Sequence, residues 1–267
     1  MAKACYVGVD GKARKVKKIY TGVSDVARKV KKGYVGVGGV ARPFYSAEQK
    51  LVYYGKATGL SVARAELVAT TVGNYALFGS GSDESAVIDA YSNTLVRSSP
   101  TGLSVVRSLL GAGSVGNYAL FGGGWAERTA LATVDAYSNT LVRSTPSTLG
   151  NTCSAPAATS IGNYVLFGGG GSDYGSRATV TAYSNTLVRS TPTALSAVRD
   201  RLAATTVGNY ALFGGGETNS AVVDAYSDTL VRSTPTALSE ERYNLTATTV
   251  GNYALFGSGS DESAVID

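Results

Sequence analysis

From residue 66 onward the chain alternates apolar and polar positions in short runs broken by Gly, Asn and Ser, which is the pattern of half-buried strands joined by tight turns. One cycle reads as a strand ("ELVATTV", 66–72), a Gly-Asn turn, a second strand ("YALFG", 75–79) and a variable loop. A third strand ("AVIDAY", 86–91), a Ser-Asn turn and a fourth strand ("TLVRS", 94–98) complete it. Both turns use residue types that tolerate the positive φ of two-residue hairpin loops. The triplet "GNY" at 73–75, 116–118, 162–164, 208–210 and 251–253 marks five passes through this cycle at intervals of 43–46 residues.

A four-stranded antiparallel sheet of this size, repeated, is the signature of a β-propeller blade. The inner strands "LVATT", "LLGAG", "APAATS", "LAATT" and "LTATT" are rich in Ala, Thr and Gly, small enough for the crowded axis of a ring with few blades. Tyr75, Leu77, Phe78 and Tyr91 predict the filling between blades. The last repeat, "VGNYALFGSGSDESAVID" at 250–267, duplicates 72–89 and lacks only the fourth strand. "KLVYYGKATGLSVAR" at 50–64 aligns with "NTLVRSSPTGLSVVR" at 93–107, a fourth strand and the connection after it. Pairing 50–56 with 263–267 would close a five-bladed ring and cover an otherwise exposed sheet edge.

Residues 5–46 repeat on a shorter period of 14 residues: "CYVGVDGKARKVKK", "IYTGVSDVARKVKK" and "GYVGVGGVARPFYS". Each unit reads as a hairpin, and hairpins of this size need one another or a partner for stability. The expected organisation is therefore a β-repeat segment over 1–46 and a propeller over 47–267.

Composition sharpens this division. Residues 1–50 hold twelve Lys and Arg against three Asp and Glu, whereas 51–267 hold twelve against sixteen. Lys15, Lys17, Lys29 and Lys31 recur at strand-like spacing, as expected for a segment that attaches to an acidic virion partner and forms homo-oligomers, with nonspecific polyanion binding the second reading. The 14-residue spacing of the Tyr residues suggests stacked units rather than stacked bases, so nucleic acid is not the expected partner. Cys5 and Cys153 show no framework spacing. No apolar run reaches the length of a signal peptide or membrane span, so the expected product is made in the cytoplasm.

The sequences "ALFGGG", "VDAYSNTLVRSTP" and "LSAVR" resemble the kelch repeat: a strand ending in a Gly doublet, a Tyr strand, a further strand and an Arg before the next blade. The resemblance covers 47–267 and implies the propeller fold. It departs from the pattern at Leu95, Leu141, Leu187 and Leu230, which stand where the repeat has Trp, and at the Gly-Ser doublets of the first and fifth units. The basic 14-residue units resemble N-terminal segments of bacteriophage structural and prophage tail or fibre proteins. That likeness implies a virion component, attached by its N-terminus, whose propeller faces outward.

The chain contains no His, which removes His-based acid–base chemistry, Ser-His-Asp triads and the His-ligated copper site of kelch-type oxidases. Carboxylates remain, and Asp83, Glu84, Glu127, Asp173, Glu217, Asp261 and Glu262 are the candidates for a glycosidase-like pair. No cofactor or metal is expected; "GSGSDES" lacks the spacing of an EF-hand. Antiparallel order places the loops between second and third strands, and the connections between units, at one end of the sheets. The loops "GSGSDES", "GGWAERTA", "GGGSDYGSR" and "GETNS" vary on a constant scaffold, as recognition loops do. The candidate ligand-binding residues are Trp125, Glu127, Arg128, Asp173, Tyr174, Arg177, Glu217 and Asn219. Arg64, Arg107, Arg199 and Arg242, aligned before each inner strand with Cys153 in the remaining place, are either ligand contacts or structural hydrogen-bond donors. Arg97, Arg143, Arg189 and Arg232 on the outer strands are expected to be solvated, and Cys153 to serve packing.

The expectation is a non-enzymatic virion structural or receptor-binding protein that recognises a host-surface glycan or protein. A bacterial interaction scaffold and a carboxylate-only glycan hydrolase are the alternatives.

Overall fold

The structure is a computed structural model; it describes the backbone of strands within 6–46, and residues 55–81, 85–217, 220–259 and 264–267. Every regular element among the described residues is a β-strand. Packing divides the chain into Met1–Lys56 and Ala57–Asp267.

The first unit contains β1 (Tyr6–Val9), β2 (Lys12–Lys15), β3 (Tyr20–Val23), β4 (Val26–Lys29), β5 (Lys32–Val37) and β6 (Val40–Ser46). They pair as three antiparallel hairpins, β1–β2, β3–β4 and β5–β6. Tyr6 lies opposite Lys15, and Tyr20 opposite Lys29, in the same register. Lys15 and Lys29 thus close equivalent strands, while Lys17 and Lys31 lie outside the described residues.

The second unit repeats a four-strand meander. Its first sheet is β7 (Val68–Val72), β8 (Tyr75–Gly79), β9 (Ile88–Ser92) and β10 (Arg97–Ser98). The second is β11 (Gly111–Val115), β12 (Tyr118–Gly122), β15 (Val134–Ser138) and β16 (Arg143–Ser144), with a small hairpin, β13 (Trp125–Ala126) and β14 (Thr129–Ala130), in its loop. The third is β17 (Ala157–Ile161), β18 (Tyr164–Gly168), β19 (Val180–Ser184) and β20 (Arg189–Ser190). The fourth is β21 (Ala203–Val207), β22 (Tyr210–Gly214), β23 (Val223–Ser227) and β24 (Arg232–Ser233). The fifth pairs β25 (Thr246–Val250) with β26 (Tyr253–Gly257), and Ile266 bridges β26 at Gly257. Consecutive innermost strands β7, β11, β17, β21 and β25 lie side by side. The result is a β-propeller-like array of antiparallel sheets. The closing strand expected at 50–56 falls largely outside the described residues.

The core lies between sheets. Val72, Leu77, Ile88 and Ala90 of the first sheet pack against Leu110, Phe121 and Tyr137 of the second, and equivalent clusters fill the next interfaces. In each complete sheet a Phe meets a Tyr edge-on, as Phe121 and Tyr137 do at 5.8 Å. The ring contact adds roughly 0.5–1.5 kcal/mol beyond area burial.

The fourth strands are shorter than the expected "TLVRS", because only Arg and Ser pair with the third strand. The preceding Leu is consumed by the turn: Leu95, Leu141, Leu187 and Leu230 have φ of 60, 63, 62 and 63°. A left-handed L-residue costs about 1–2 kcal/mol. Compensation comes from the turn Ser, whose hydroxyl accepts the N–H groups of Thr94 and Val96 in the first sheet. Leu141, Leu187 and Leu230 also pack against interface cores.

Candidate recognition face

Each inner strand is preceded by a connection that must be fixed to its own sheet, and this task falls to the aligned arginines. Arg107 is fully buried. Its Nε donates to Gly123 O at 2.9 Å, and its Nη2 donates to Phe121 O and to Asp135 at 3.3 and 2.8 Å. Arg64 bonds Ser80 O, Phe78 O and Asp89 in the same way. Arg199 pairs with Asp224, and Arg242 with Asp267. The four arginines are therefore tie-rods between a connection and the second and third strands of its sheet, and the ligand-contact reading is corrected. A buried guanidinium requires a charged partner, which each of the four has. Arg64 and Arg107 also bond through Nε, whereas the buried Nε of Arg199 and of Arg242 is left unsatisfied.

The carboxylates Asp89, Asp135, Asp224 and Asp267 were the residues that sequence reasoning passed over. Each also accepts a backbone N–H from a Ser three residues before the arginine: Ser61, Ser104, Ser196 and Ser239. Burial alone would raise the Asp89 carboxyl, but hydrogen bonds from Ser61 and Arg64 outweigh it and hold the group below its ordinary value. Ser239 and Arg242 do the same for Asp267. The signal was present in the sequence as "SxxR" followed by the Asp of "IDAY" and "VDAY". The outer arginines were expected to be solvated, but Arg143 and Arg232 reach the same Asp135 and Asp224 at 3.4 and 2.9 Å.

The third sheet departs as a set. Gly150, Cys153 and Thr181 occupy the positions of Ser, Arg and Asp. The Cys153 thiol donates to Gly169 O at 2.9 Å, replacing the arginine's bond, and the Thr181 hydroxyl donates to Leu149 O at 2.8 Å. Arg189, left without the aspartate, is exposed, as expected of it, and lies over Gly150. Burial pushes the Cys153 thiol up to about 12, so it remains a neutral packing group, as expected. A cavity of about 10 Å³ between Cys153, Arg177 and Thr181, room for about one water, marks the missing guanidinium.

Above this frame stand the variable loops. Trp125 is half-buried, and its backbone exchanges two hydrogen bonds with Ser108, at 2.8 and 3.0 Å. Glu127 and Arg128 form the exposed tip of the β13–β14 hairpin with φ of 48 and 64°. Asp173 of the third loop accepts the Thr129 hydroxyl at 2.7 Å and the Ala130 N–H at 2.9 Å. These bonds hold its carboxyl below the ordinary value and clamp the third loop to the second. Next to the clamp, Tyr174 projects into solvent at 92% exposure. Its loop is held by Ser172, which bonds Gly175 O and the Tyr174 N–H.

Arg177 is half-buried beneath the loop rather than displayed, and its backbone N–H donates to Gly170 O. Glu217 forms an ion pair with Arg201 at 2.6 Å. Asn219, Asp83, Glu84, Asp261 and Glu262 lie outside the described residues. The structure thus brings Glu127, Arg128, Asp173 and Tyr174 into adjoining loops and leaves Glu217 on the next. Among the described residues, no three Cys, Asp or Glu side chains are grouped to hold a metal. No helix there is long and apolar enough to cross a membrane.

No family model and no curated protein matches the chain. Its fold is similar to the solved structure of YjhT, with a TM-score of 0.64 over 76% of this chain and 75% of that one, at 11% sequence identity. A likeness at that identity is one of architecture.

Proposed function

We propose that this protein is a non-enzymatic virion component, attached through its basic N-terminal β-repeats, whose kelch-like propeller recognises a host-surface glycan or protein through its variable loops. The observation that carries the recognition reading is Tyr174, a fully presented aromatic ring on a loop fixed by the Asp173 clamp to its neighbour. An aromatic ring with a polar tip suits a sugar face or a protein hot spot, and the clamp reduces the ordering cost of binding. Glu127 and Arg128 beside it supply charge of both signs. The absence of His and the neutral, buried thiol support a binding role over catalysis.

The virion assignment rests on the resemblance of the 14-residue units, and on Lys15 and Lys29 closing equivalent strands of a basic segment. Ring closure of five units by residues 50–56 is the form that the sequence suggests. The test is saturable binding of the full chain to bacterial cells and to a glycan array, beside Tyr174→Ala and Trp125→Ala. Loss of binding in Tyr174→Ala supports the reading; undiminished binding in both variants removes it. Separately, failure to co-purify with phage particles would move the protein to the interaction-scaffold alternative.

A further inference from the structure

The interfaces between consecutive sheets share one part throughout and two others at three of the four. A Cβ added at Gly79, Gly122, Gly168 or Gly214 would lie 2.8, 2.8, 2.8 or 2.6 Å from the ring of the next sheet's Phe121, Phe167, Phe213 or Phe256. The glycine is thus a socket for the following Phe. The inner strands are joined by hydroxyl groups: Ser160 donates to Ser114 O, Thr206 to Ser160 O and Thr249 to Thr206 O, at 2.5, 2.5 and 2.8 Å. Finally, the Gly of each early Gly-Asn turn is covered by the next sheet's outer turn. Gly73 meets Asn139, Gly116 meets Asn185 and Gly162 meets Asp228, at 3.1, 3.0 and 3.2 Å from the position of a Cβ.

Each interface therefore joins a socket face to a knob face, and among the described residues the fifth sheet keeps a socket face uncovered and the first sheet a knob face. The fifth sheet presents the socket face. Around Gly257 the only described neighbour is Ile266. Val250 and Ile266 are 60% and 61% exposed, although the aligned Val72 and Ile88 of the first sheet are 3% and 1% exposed. The first sheet presents the knob face: Phe78 is only half-buried where Phe121 is fully buried, and Thr71 and Asn93 are exposed. The two faces match each other and neither matches itself, so contact between them is head-to-tail.

We propose that the socket face of the fifth sheet docks the knob face of the first sheet in a second copy of this chain, repeating the interface formed between its own sheets. Among the described residues Phe78 lies more than 4 Å from a Cβ added at Gly257, and a second copy carries the face that fits there. Phe78 seats on Gly257, Thr71 continues the hydroxyl series at Thr249, and the Asn93 turn covers Gly251.

The test is light scattering of the full chain over a wide concentration range, with Phe78→Ala as a knob variant and Gly257→Ala as a socket variant. Wild type should grow in whole multiples of the chain mass as concentration rises, and each variant alone should remain a monomer. Mixing the two should restore a dimer, because Gly257→Ala keeps its knob and Phe78→Ala keeps its socket. Thr71→Val, which removes one exposed hydroxyl, should weaken association and serves if Phe78→Ala does not fold. A wild type that is monomeric at all concentrations would overturn the proposal in favour of closure within one chain. Oligomers indifferent to all the variants would overturn it in favour of association elsewhere.

Discussion

The second and third sheets share strand order, register and the edge-on Phe–Tyr contact, yet only the second is fixed by an ion pair. Where the second has Ser104, Arg107 and Asp135, the third has Gly150, Cys153 and Thr181. The shared requirement is that the incoming connection be bonded to the second and third strands. Charge is one way of meeting it, provided that both partners are present; a neutral thiol and hydroxyl are another. A buried guanidinium without its carboxylate satisfies neither solution.

That reading can be broken most directly by separating the partners. Asp135→Ala should lower the unfolding free energy by about 3–5 kcal/mol, read from denaturant titration, because Arg107 would remain buried without a counter-charge. Next in size, the combined change Ser104→Gly, Arg107→Cys and Asp135→Thr, which copies the third sheet, should recover most of that loss. A combined variant as unstable as Asp135→Ala would show that the charge itself is needed.

The two kinds of sheet should also differ in acid. Asp89 and Asp267 have carboxyl groups held below the ordinary value of 3.8. They bind protons less readily in the folded chain than in the unfolded one, so their contribution to stability is complete above about that pH. It is lost as pH falls through their lower folded values. The connection into the third sheet, where Thr181 replaces the aspartate, lacks this carboxylate. Backbone hydrogen exchange across an acid titration should therefore loosen the connections at Ser61 and Ser239 before that at Leu149. Uniform loosening would contradict the assignment.

The smallest effect concerns the turn leucines. Leu95 is left-handed and largely exposed, so Leu95→Asn should stabilise by up to about 1 kcal/mol through relief of backbone strain. Leu187 has the same φ but packs against the core between the second and third sheets, so Leu187→Asn should gain nothing. Thermal melts of the two variants check the difference.

The repeat and its strand order were legible because hydrophobic alternation and Gly-Asn turns are local signals, and local signals set strands and hairpins. The short fourth strand was hidden because Leu is a poor announcer of a left-handed turn. The turn Ser helps to hold that conformation, and at Leu141, Leu187 and Leu230 packing between sheets adds to it. The Arg–Asp tie-rods were half legible: the aligned arginines stood out, but the choice between surface and interior depends on a partner 25–28 residues away. The Gly-Ser doublet of the first unit was likewise flagged as a departure without its reason. Ser80 turns a position of close approach into a hydrogen bond, its hydroxyl donating to Arg107 O at 2.5 Å. Among the loop residues, Tyr174 and Asp173 were named by type and place. The clamp onto Thr129 and Ala130 joins separate units and had no local signal.

The proposed recognition role requires a constant framework that carries the Tyr174 loop in a fixed place. The most direct measurement is the affinity of wild type and Tyr174→Ala for the cells or glycan that the full chain binds, with the unfolding midpoint of each determined alongside. The account predicts at least about a tenfold loss of affinity, which is about 1.4 kcal/mol, at an unchanged midpoint. Unchanged affinity at an unchanged midpoint would contradict it and place recognition away from these loops.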